Sequence, residues 1–227
     1  MTPLLFAAVF AVVADAAWSN CDRAAPEPLG FASRGSGYVA EIFPPKSRQN
    51  QRSRSVAYLY AVGYPGSDWR VQARRVWTAE LAAQRFPLAA LVSQSGHVIT
   101  LDDHYEYGGG NALVIYDRDG RFVRSLTLDE LLEPRDLAGV QWSDCGRAWR
   151  QGVRFFFTAT GDAKLYLLLP SRRAIELSLK SGALRRGAIS DFPLLRGIVA
   201  RQFPNEETEV WMTSLRFSSI SDLLSKN

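Results

Sequence analysis

The densest group of side chains that could do chemistry is a polar run beside a glycine-rich stretch. It consists of Asp102, Asp103, His104, Tyr105, Glu106 and Tyr107, and glycines follow at positions 108–110. With His97 nearby, the group supplies two histidines and three carboxylates, the residue types of metal sites and acid–base pairs. On an extended strand Asp102, His104 and Glu106 would share one face while alternate residues point the other way. All of these groups would therefore converge only if the loop bends.

This 102–107 loop has two interpretations. The sequence favours a polar loop at a strand end that is followed by glycines. In this loop Tyr105 and Tyr107 would suit a carbohydrate or peptide contact. The alternative is a metal-assisted or acid–base hydrolase that works through Asp102–Glu106. Because a motif needs structural context to support chemistry, the sequence assigns no catalytic residue, no metal ligand and no cofactor.

A second candidate contact surface is a basic loop. Lys46, Arg48, Arg52 and Arg54 lie in a stretch that has no acidic residue between positions 41 and 68. Guanidinium groups bind planar anions through paired hydrogen bonds, so an anionic polysaccharide or a protein is the expected partner, with a homodimer as a further possibility. The alternative is that the arginines are scattered over a solvated surface, where they keep strand edges unpaired. No nucleic-acid-binding module appears, so nucleic acid is not an expected partner.

Two short motifs look catalytic or calcium-binding but predict turns. Asp117-Arg118-Asp119-Gly120 resembles the start of a calcium loop, yet position 126, where that loop needs Glu, is Leu. Ser95-Gly96-His97 contains a Ser/His pair, but neighbouring strand residues point to opposite faces, so the sequence predicts a turn here.

The N-terminus predicts export. Residues 4–14 are all apolar, which is too short for a membrane-spanning helix but typical of a secretory signal. Ala14-Asp15-Ala16 matches a small-x-small cleavage site, so we expect residues 1–16 to be removed and 17–227 to form one all-β domain. A buried N-terminal strand or helix is the alternative. Export would place the protein in the periplasm or outside the cell, with no transmembrane segment in the mature chain.

The two cysteines, Cys21 and Cys145, fit that compartment. An even cysteine count in an oxidising environment favours one disulfide, and two free buried thiols are the alternative. No Cys-x-x-Cys pair supports a zinc or redox site.

The remainder of the chain reads as three related units at residues 36–81, 95–132 and 151–182, followed by a C-terminal strand at 208–217. Each unit has short apolar runs separated by Gly, Asp, Ser and Pro, which predicts an antiparallel meander. The fold class is therefore all-β, either propeller-like or a two-sheet sandwich. Short helices are minor, and the clearest begins at Asp129 and ends at Leu132.

The openings Ser36-Gly37-Tyr38-Val39 and Ser95-Gly96-His97-Val98 repeat, central strands end in Tyr60 and Tyr116, and the 117–120 turn precedes RFVRSLTL. This combination resembles the blades of secreted bacterial β-propellers. The resemblance implies a β-repeat scaffold, although closed propellers have about four to eight blades and three are counted. It implies no particular activity, because function in such folds resides in the loops.

Composition agrees with a folded module. The 227 residues are 47% hydrophobic and 22% charged, with a net charge of +4, which argues against disorder and against a polytopic membrane protein. Together these features predict an exported, non-catalytic β-repeat module that presents loops for binding or assembly in the cell envelope.

Overall fold

The computed structural model describes residues 27–33, 37–45, 54–63, 72–82, 86–103, 108–143, 146–158, 163–202 and 214–215. The elements are β1 (Leu29–Ala32), β2 (Tyr38–Phe43), β3 (Val56–Gly63), β4 (Gln72–Glu80), β5 (Pro87–Val92), β6 (Val98–Asp103), β7 (Leu113–Tyr116), β8 (Phe122–Leu126), α1 (Leu128–Leu131), α2 (Pro134–Leu137), β9 (Trp142–Ser143), β10 (Gly146–Arg147), β11 (Arg154–Phe157), β12 (Lys164–Leu168), β13 (Arg173–Ser178), β14 (Leu184–Ala188), a 3-10 turn (Ile189–Asp191), α3 (Pro193–Gln202) and β15 (Ser214–Leu215).

The prediction of an all-β antiparallel meander is confirmed. Strands β1–β4, β5–β8 and β11–β14 form three sheets in which every strand pairs with its chain neighbour. The middle strand β7 is buried along its whole length, because sheets or helices cover both of its faces. The predicted closing strand contributes β15, which pairs antiparallel with β1 and adds a fifth strand to the first sheet. The other residues of 208–217 lie outside the described ranges.

Each sheet contains one strand that the sequence analysis did not predict. Strands β1 and β5 precede the first two predicted units, and β14 follows the third. The sequence did contain an indication of β1 and β5, because Ser33 and Ser93 occupy equivalent turns after these two strands. Ser33 Oγ accepts from Tyr38 N at 3.2 Å, and Ser93 Oγ accepts from His97 N at 2.9 Å. The repeat therefore begins one strand earlier than the Ser-Gly pair suggests.

Adjacent sheets pack where a glycine turn of one sheet meets a side chain of the sheet before it. The turn between β7 and β8 places Gly120, at φ +80°, where a Cβ would lie 2.8 Å from Trp77 Cδ2 of β4. The turn between β13 and β14 places Gly182, at φ +70°, where a Cβ would lie 2.7 Å from Arg124 Cβ of β8. Only glycine allows both this conformation and this approach. The Asp117–Gly120 motif is therefore a turn, as predicted, and the structure adds that it packs against β4.

Three arginines tie the third sheet to the second sheet and to the connector that carries α1 and α2. Arg124 Nη1 donates to Gly182 O at 2.9 Å, and Arg186 donates through Nε and Nη2 to the carbonyl oxygens of Leu131 and Glu130. Arg173 Nη2 lies 2.7 Å from Glu133 Oε1. The expectation that arginines are simply scattered over a solvated surface is wrong for these three, because their guanidinium groups bridge structural elements.

Helix α3 covers the outer face of the third sheet. Phe192 and Leu195 join Phe156, Tyr166 and Ala174 in a small core that is separate from the main one. The rings of Tyr166 and Phe192 lie 6.0 Å apart in an edge-to-face arrangement. The sequence analysis did not predict this helix, although Pro193 at its start and the spacing of 195, 198 and 199 are helical signals.

Several predictions concern residues outside the described ranges. The signal segment 1–16 and the Cys21–Cys145 disulfide lie there, so they stay predictions. Among the helices that are described, none combines the length and the hydrophobicity that crossing a bilayer requires.

Candidate ligand-binding groove

An open groove of about 370 Å³ lies between the loop after β6, the start of α1 and the β9–β10 hairpin. Its lining consists of Gly108, Gly109, Gly110, Thr127, Leu128, Asp129, Trp142, Gly146 and Arg147. A groove of this size is within the range that holds small molecules or a short stretch of polymer.

The β9–β10 hairpin supplies an aromatic side chain and a charged one. Trp142 and Arg147 are paired across the two strands, and the Arg147 guanidinium carbon lies 4.5 Å from the Trp142 ring centroid. Arg147 Nη1 also donates to Asp129 Oδ1 at 2.9 Å. The indole is nevertheless 71% exposed, the largest exposed fraction among the large hydrophobic residues in the described ranges. Arg147 thus orients a ring that remains accessible to solvent.

A second part of the lining, residues 108–110, is made of glycine backbone. Gly108 has φ +61°, and a Cβ there would lie 2.9 Å from Leu128 Cδ2 and 3.1 Å from Arg147 Cβ. Glycine is required at this position for both reasons. Gly108 thus packs closely against α1 and the β9–β10 hairpin, and residues 108–110 line the groove without side chains.

The floor of the groove is the first turn of α1. Thr127 caps the helix, since its hydroxyl accepts from Glu130 N while Glu130 Oε2 accepts from Thr127 N at 2.8 Å. The Thr127 hydroxyl also donates to Glu130 Oε2 at 3.1 Å, and the two hydrogen bonds that this carboxylate accepts from Thr127 lower the pKa of Glu130. This capping box fixes the neighbouring Asp129, which is the acidic partner of Arg147.

The side chain of Asp102 supports residues 108–110, which we call the glycine wall. Its side chain is fully buried, Oδ1 accepts from Gly108 N at 3.0 Å and from Trp149 Nε1 at 2.6 Å, and Oδ2 lies 2.6 Å from Arg150 Nε. Burial raises the pKa of Asp102, and the Arg150 charge and the two hydrogen bonds offset this only in part. One carboxylate therefore connects the loop after β6 to residues 149 and 150.

The raised pKa of Asp102 predicts a pH dependence of stability. The folded state binds this proton more tightly than the unfolded chain, whose Asp titrates near about 3.9. The stabilisation that comes from this tighter proton binding is therefore complete below that pH. It is lost as the pH rises through the raised pKa of Asp102. We expect the unfolding free energy of the wild type, measured relative to Asp102→Asn by urea denaturation, to fall between pH 4 and 7. A difference that rises with pH would contradict the direction of the shift.

The structure places the residues of the 102–107 loop in different situations. Asp102 lies within β6 but has φ 50°, so the backbone departs from the extended conformation at this residue. Asp103 ends β6. His104, Tyr105, Glu106 and Tyr107 lie outside the described ranges, so their contact role and the hydrolase alternative are not tested.

Of the predicted basic loop, only Arg54 is described, and it is exposed. Lys46, Arg48 and Arg52 lie outside the described ranges. The anionic-partner interpretation of this loop therefore stays a prediction.

The prediction of a turn at 95–97 is confirmed, but the reason given against a Ser/His contact is wrong. Ser95 precedes β6 in a turn where Gly96 has φ +85°, so strand alternation does not apply. Ser95 Oγ lies 3.0 Å from His97 Nδ1. Burial lowers the pKa of His97, and its backbone N–H is held by Ser93 Oγ. The contact closes the turn.

The sequence analysis did not predict that Trp142, Arg147 and Asp129 belong to a site. Trp142-Ser143 and Gly146-Arg147 are two-residue strands, too short to give an alternation pattern. Their juxtaposition with the glycine wall is a tertiary contact. A tryptophan in a polar connector, beside arginines at 147 and 150, was the available signal.

The described part of the chain contains no group of three or more His, Cys, Asp or Glu side chains positioned to hold a metal ion.

Comparison with known proteins does not name a family for this chain. No protein-family model matches it, and no curated protein matches it. Among solved structures it is similar to one titled "Crystal structure of HIRA(644-1017)", with 9% identity and a TM-score of 0.37. That similarity covers 83% of this chain and 46% of the other, so the chain spans about half its length.

Proposed function

We propose that this protein is an exported, non-catalytic β-repeat module that binds a ligand in the groove between the glycine wall and the β9–β10 hairpin. The observation that carries the proposal is the Trp142 indole, which Arg147 orients while most of its surface faces solvent. Tryptophan and arginine are the side chains that dominate binding sites, because they combine large contact area with directed polar groups.

Trp142 differs from the other exposed apolar residues because it lines the groove. Phe122 and Leu194 are 53% and 59% exposed but do not line the groove, and single exposed apolar residues need no functional explanation. Trp142 instead lies beside a backbone wall, an ion pair and a capped helix start. A rigid scaffold that presents such groups from separate elements is typical of binding sites.

Export is supported by the sequence. The apolar run at 4–14 and the Ala14-Asp15-Ala16 site are typical of a secretory signal, and the two cysteines suit an oxidising compartment. We propose the periplasm or the extracellular space as the place of action. The basic loop that contains Lys46, Arg48, Arg52 and Arg54 is proposed as a second contact surface, for an anionic polysaccharide or a protein.

The proposal is tested with Trp142→Ala in the full-length protein. Binding is measured by calorimetry against neutral polysaccharides, sulfated polysaccharides and protein extracts of the cell envelope. We expect at least one ligand class to bind the wild type and to lose at least tenfold in affinity with the variant. Because Trp142 is mostly exposed, the unfolding free energy should change by less than about 0.5 kcal/mol.

Phe122→Ala is the matched control. It also removes an exposed aromatic ring, at the far end of β8 from the groove, about 17 Å away along the strand. It should leave binding unchanged. Equal affinity of wild type and Trp142→Ala for every ligand that binds would show that this groove is not the binding site.

A further inference from the structure

We infer that the groove takes a neutral saccharide of equatorially substituted pyranose rings, such as a β-1,4-linked oligosaccharide. This inference rests on the proposed function and adds the chemical class of the ligand. It follows from three properties of the groove: its charge balance, its flat walls and its exposed indole.

Among the groove residues that the structure describes, the charges balance. Their one guanidinium, from Arg147, is already paired with Asp129, whose carboxylate is 2.9 Å away, and it lies over Trp142. An anionic ligand would have to compete with Asp129 for Arg147 and would be repelled by that carboxylate. A neutral ligand with several hydroxyl groups can instead donate to Asp129 and accept from Arg147 while the ion pair stays intact.

The walls favour a flat ring. The wall at 108–110 consists of three glycines, so no side chain projects from it into the groove. Pyranose rings with equatorial substituents present C–H groups on both faces, and these weakly positive groups pack on the negative face of an indole. Arg147 lies over one face of the Trp142 ring, so the other face is the one that would take the sugar.

A peptide fits the groove less well. Helical or apolar peptides require a continuous hydrophobic lining, whereas Trp142 and the buried Leu128 are the only large apolar residues among the groove residues described. Added strands require a sheet edge of several residues, and β9 and β10 have two residues each. The backbone N–H and C=O groups of the glycine wall can form hydrogen bonds with the hydroxyl groups of a sugar as well as with a peptide, so they do not favour a peptide ligand.

The test measures binding of cellohexaose, xylohexaose and chitohexaose to the full-length protein by calorimetry, with a heparin hexasaccharide as the anionic comparison. We expect at least one neutral sugar to bind, Trp142→Ala to weaken it at least tenfold, and Trp142→Phe to recover part of the loss by restoring a ring. Affinity should be the same in 50 and 500 mM NaCl, because no net charge is neutralised.

The outcomes separate this inference from the proposed function. If none of the three neutral sugars binds, while heparin or a protein binds in a Trp142-dependent way, the saccharide class is wrong and the binding module stands. A steep salt dependence of neutral-sugar binding would also overturn the saccharide inference. If Trp142→Ala changes the affinity for no ligand that binds, both the inference and the proposed groove are overturned.

Discussion

Replacing Asp102 with Ala should destabilise the protein by about 3 to 5 kcal/mol at neutral pH. The change removes the acceptor of two buried donors, Gly108 N and Trp149 Nε1, and the ion-pair partner of Arg150. Each buried donor left without an acceptor costs about 1 to 3 kcal/mol, and breaking a buried ion pair by removing one partner costs about 3 to 5 kcal/mol. The Arg150 side chain is 20% exposed, so water offsets part of this loss.

Asp102→Asn is the matched variant. Asparagine tolerates the positive φ of 50° as Asp does, and its amide oxygen can accept from both Gly108 and Trp149. It loses the charge and the acceptor opposite Arg150, because its amide NH2 would face the Arg150 Nε–H donor. We therefore expect a clearly smaller loss of unfolding free energy than with Ala, measured by urea denaturation at pH 7.

Ligand binding should follow the same order. Without its acceptor, the Gly108 peptide is no longer held, and the glycine wall of the groove loosens. We expect Asp102→Ala to weaken binding more than Asp102→Asn at a temperature where both variants remain folded. If Ala and Asn cost the same, within about 0.5 kcal/mol, the two hydrogen bonds do not carry the stabilisation that the geometry assigns to them.

Replacing Trp77 with Ala should also cost about 3 to 5 kcal/mol. Trp77 is 8% exposed and packs against the Gly120 turn, so the variant opens a cavity between the first and second sheets. Its Nε1 has no hydrogen-bond partner among the described residues. The contribution therefore comes from buried area, and Trp77→Phe should cost much less because it keeps an aromatic ring there.

A double-mutant cycle tests whether Gly120 and Trp77 pack as described. Gly120→Ala alone should cost about 2 to 3 kcal/mol, because its Cβ would lie 2.8 Å from Trp77 Cδ2 and because φ is +80°. In the Trp77→Ala background only the backbone strain remains, so the cost should fall to about 1 kcal/mol. Additive effects would show that the two residues do not touch.

Gly63→Ala is the control for the effect of replacing glycine. Gly63 ends β3, is exposed, and has no atom within 4 Å of the Cβ position. Its substitution should change the unfolding free energy by less than about 1 kcal/mol. A large loss there would mean that glycine substitution in this sheet is costly for reasons other than the contact with Trp77.

The candidate site illustrates what the sequence could and could not indicate. It directed attention to 102–107 and to the glycines at 108–110, because polar residues and glycines cluster there. Asp102 belongs to the site only as a buried support, and its role depends on Trp149 and Arg150, which are 47 and 48 positions away. No spacing rule links residues at that separation.

The sequence by itself determined the all-β class, the repeated strand order and the turns at 95–97 and 117–120. These features are local: strand alternation has a period of two, and Gly or Asp at fixed offsets specifies a turn. The tertiary structure alone decided which turn meets which side chain, such as Gly120 on Trp77 and Gly182 on Arg124. It also decided that Trp142, Asp129 and the glycine wall enclose one groove. The reason is physical, because packing between sheets depends on the shapes of residues far apart in the chain, which local periodicity does not encode.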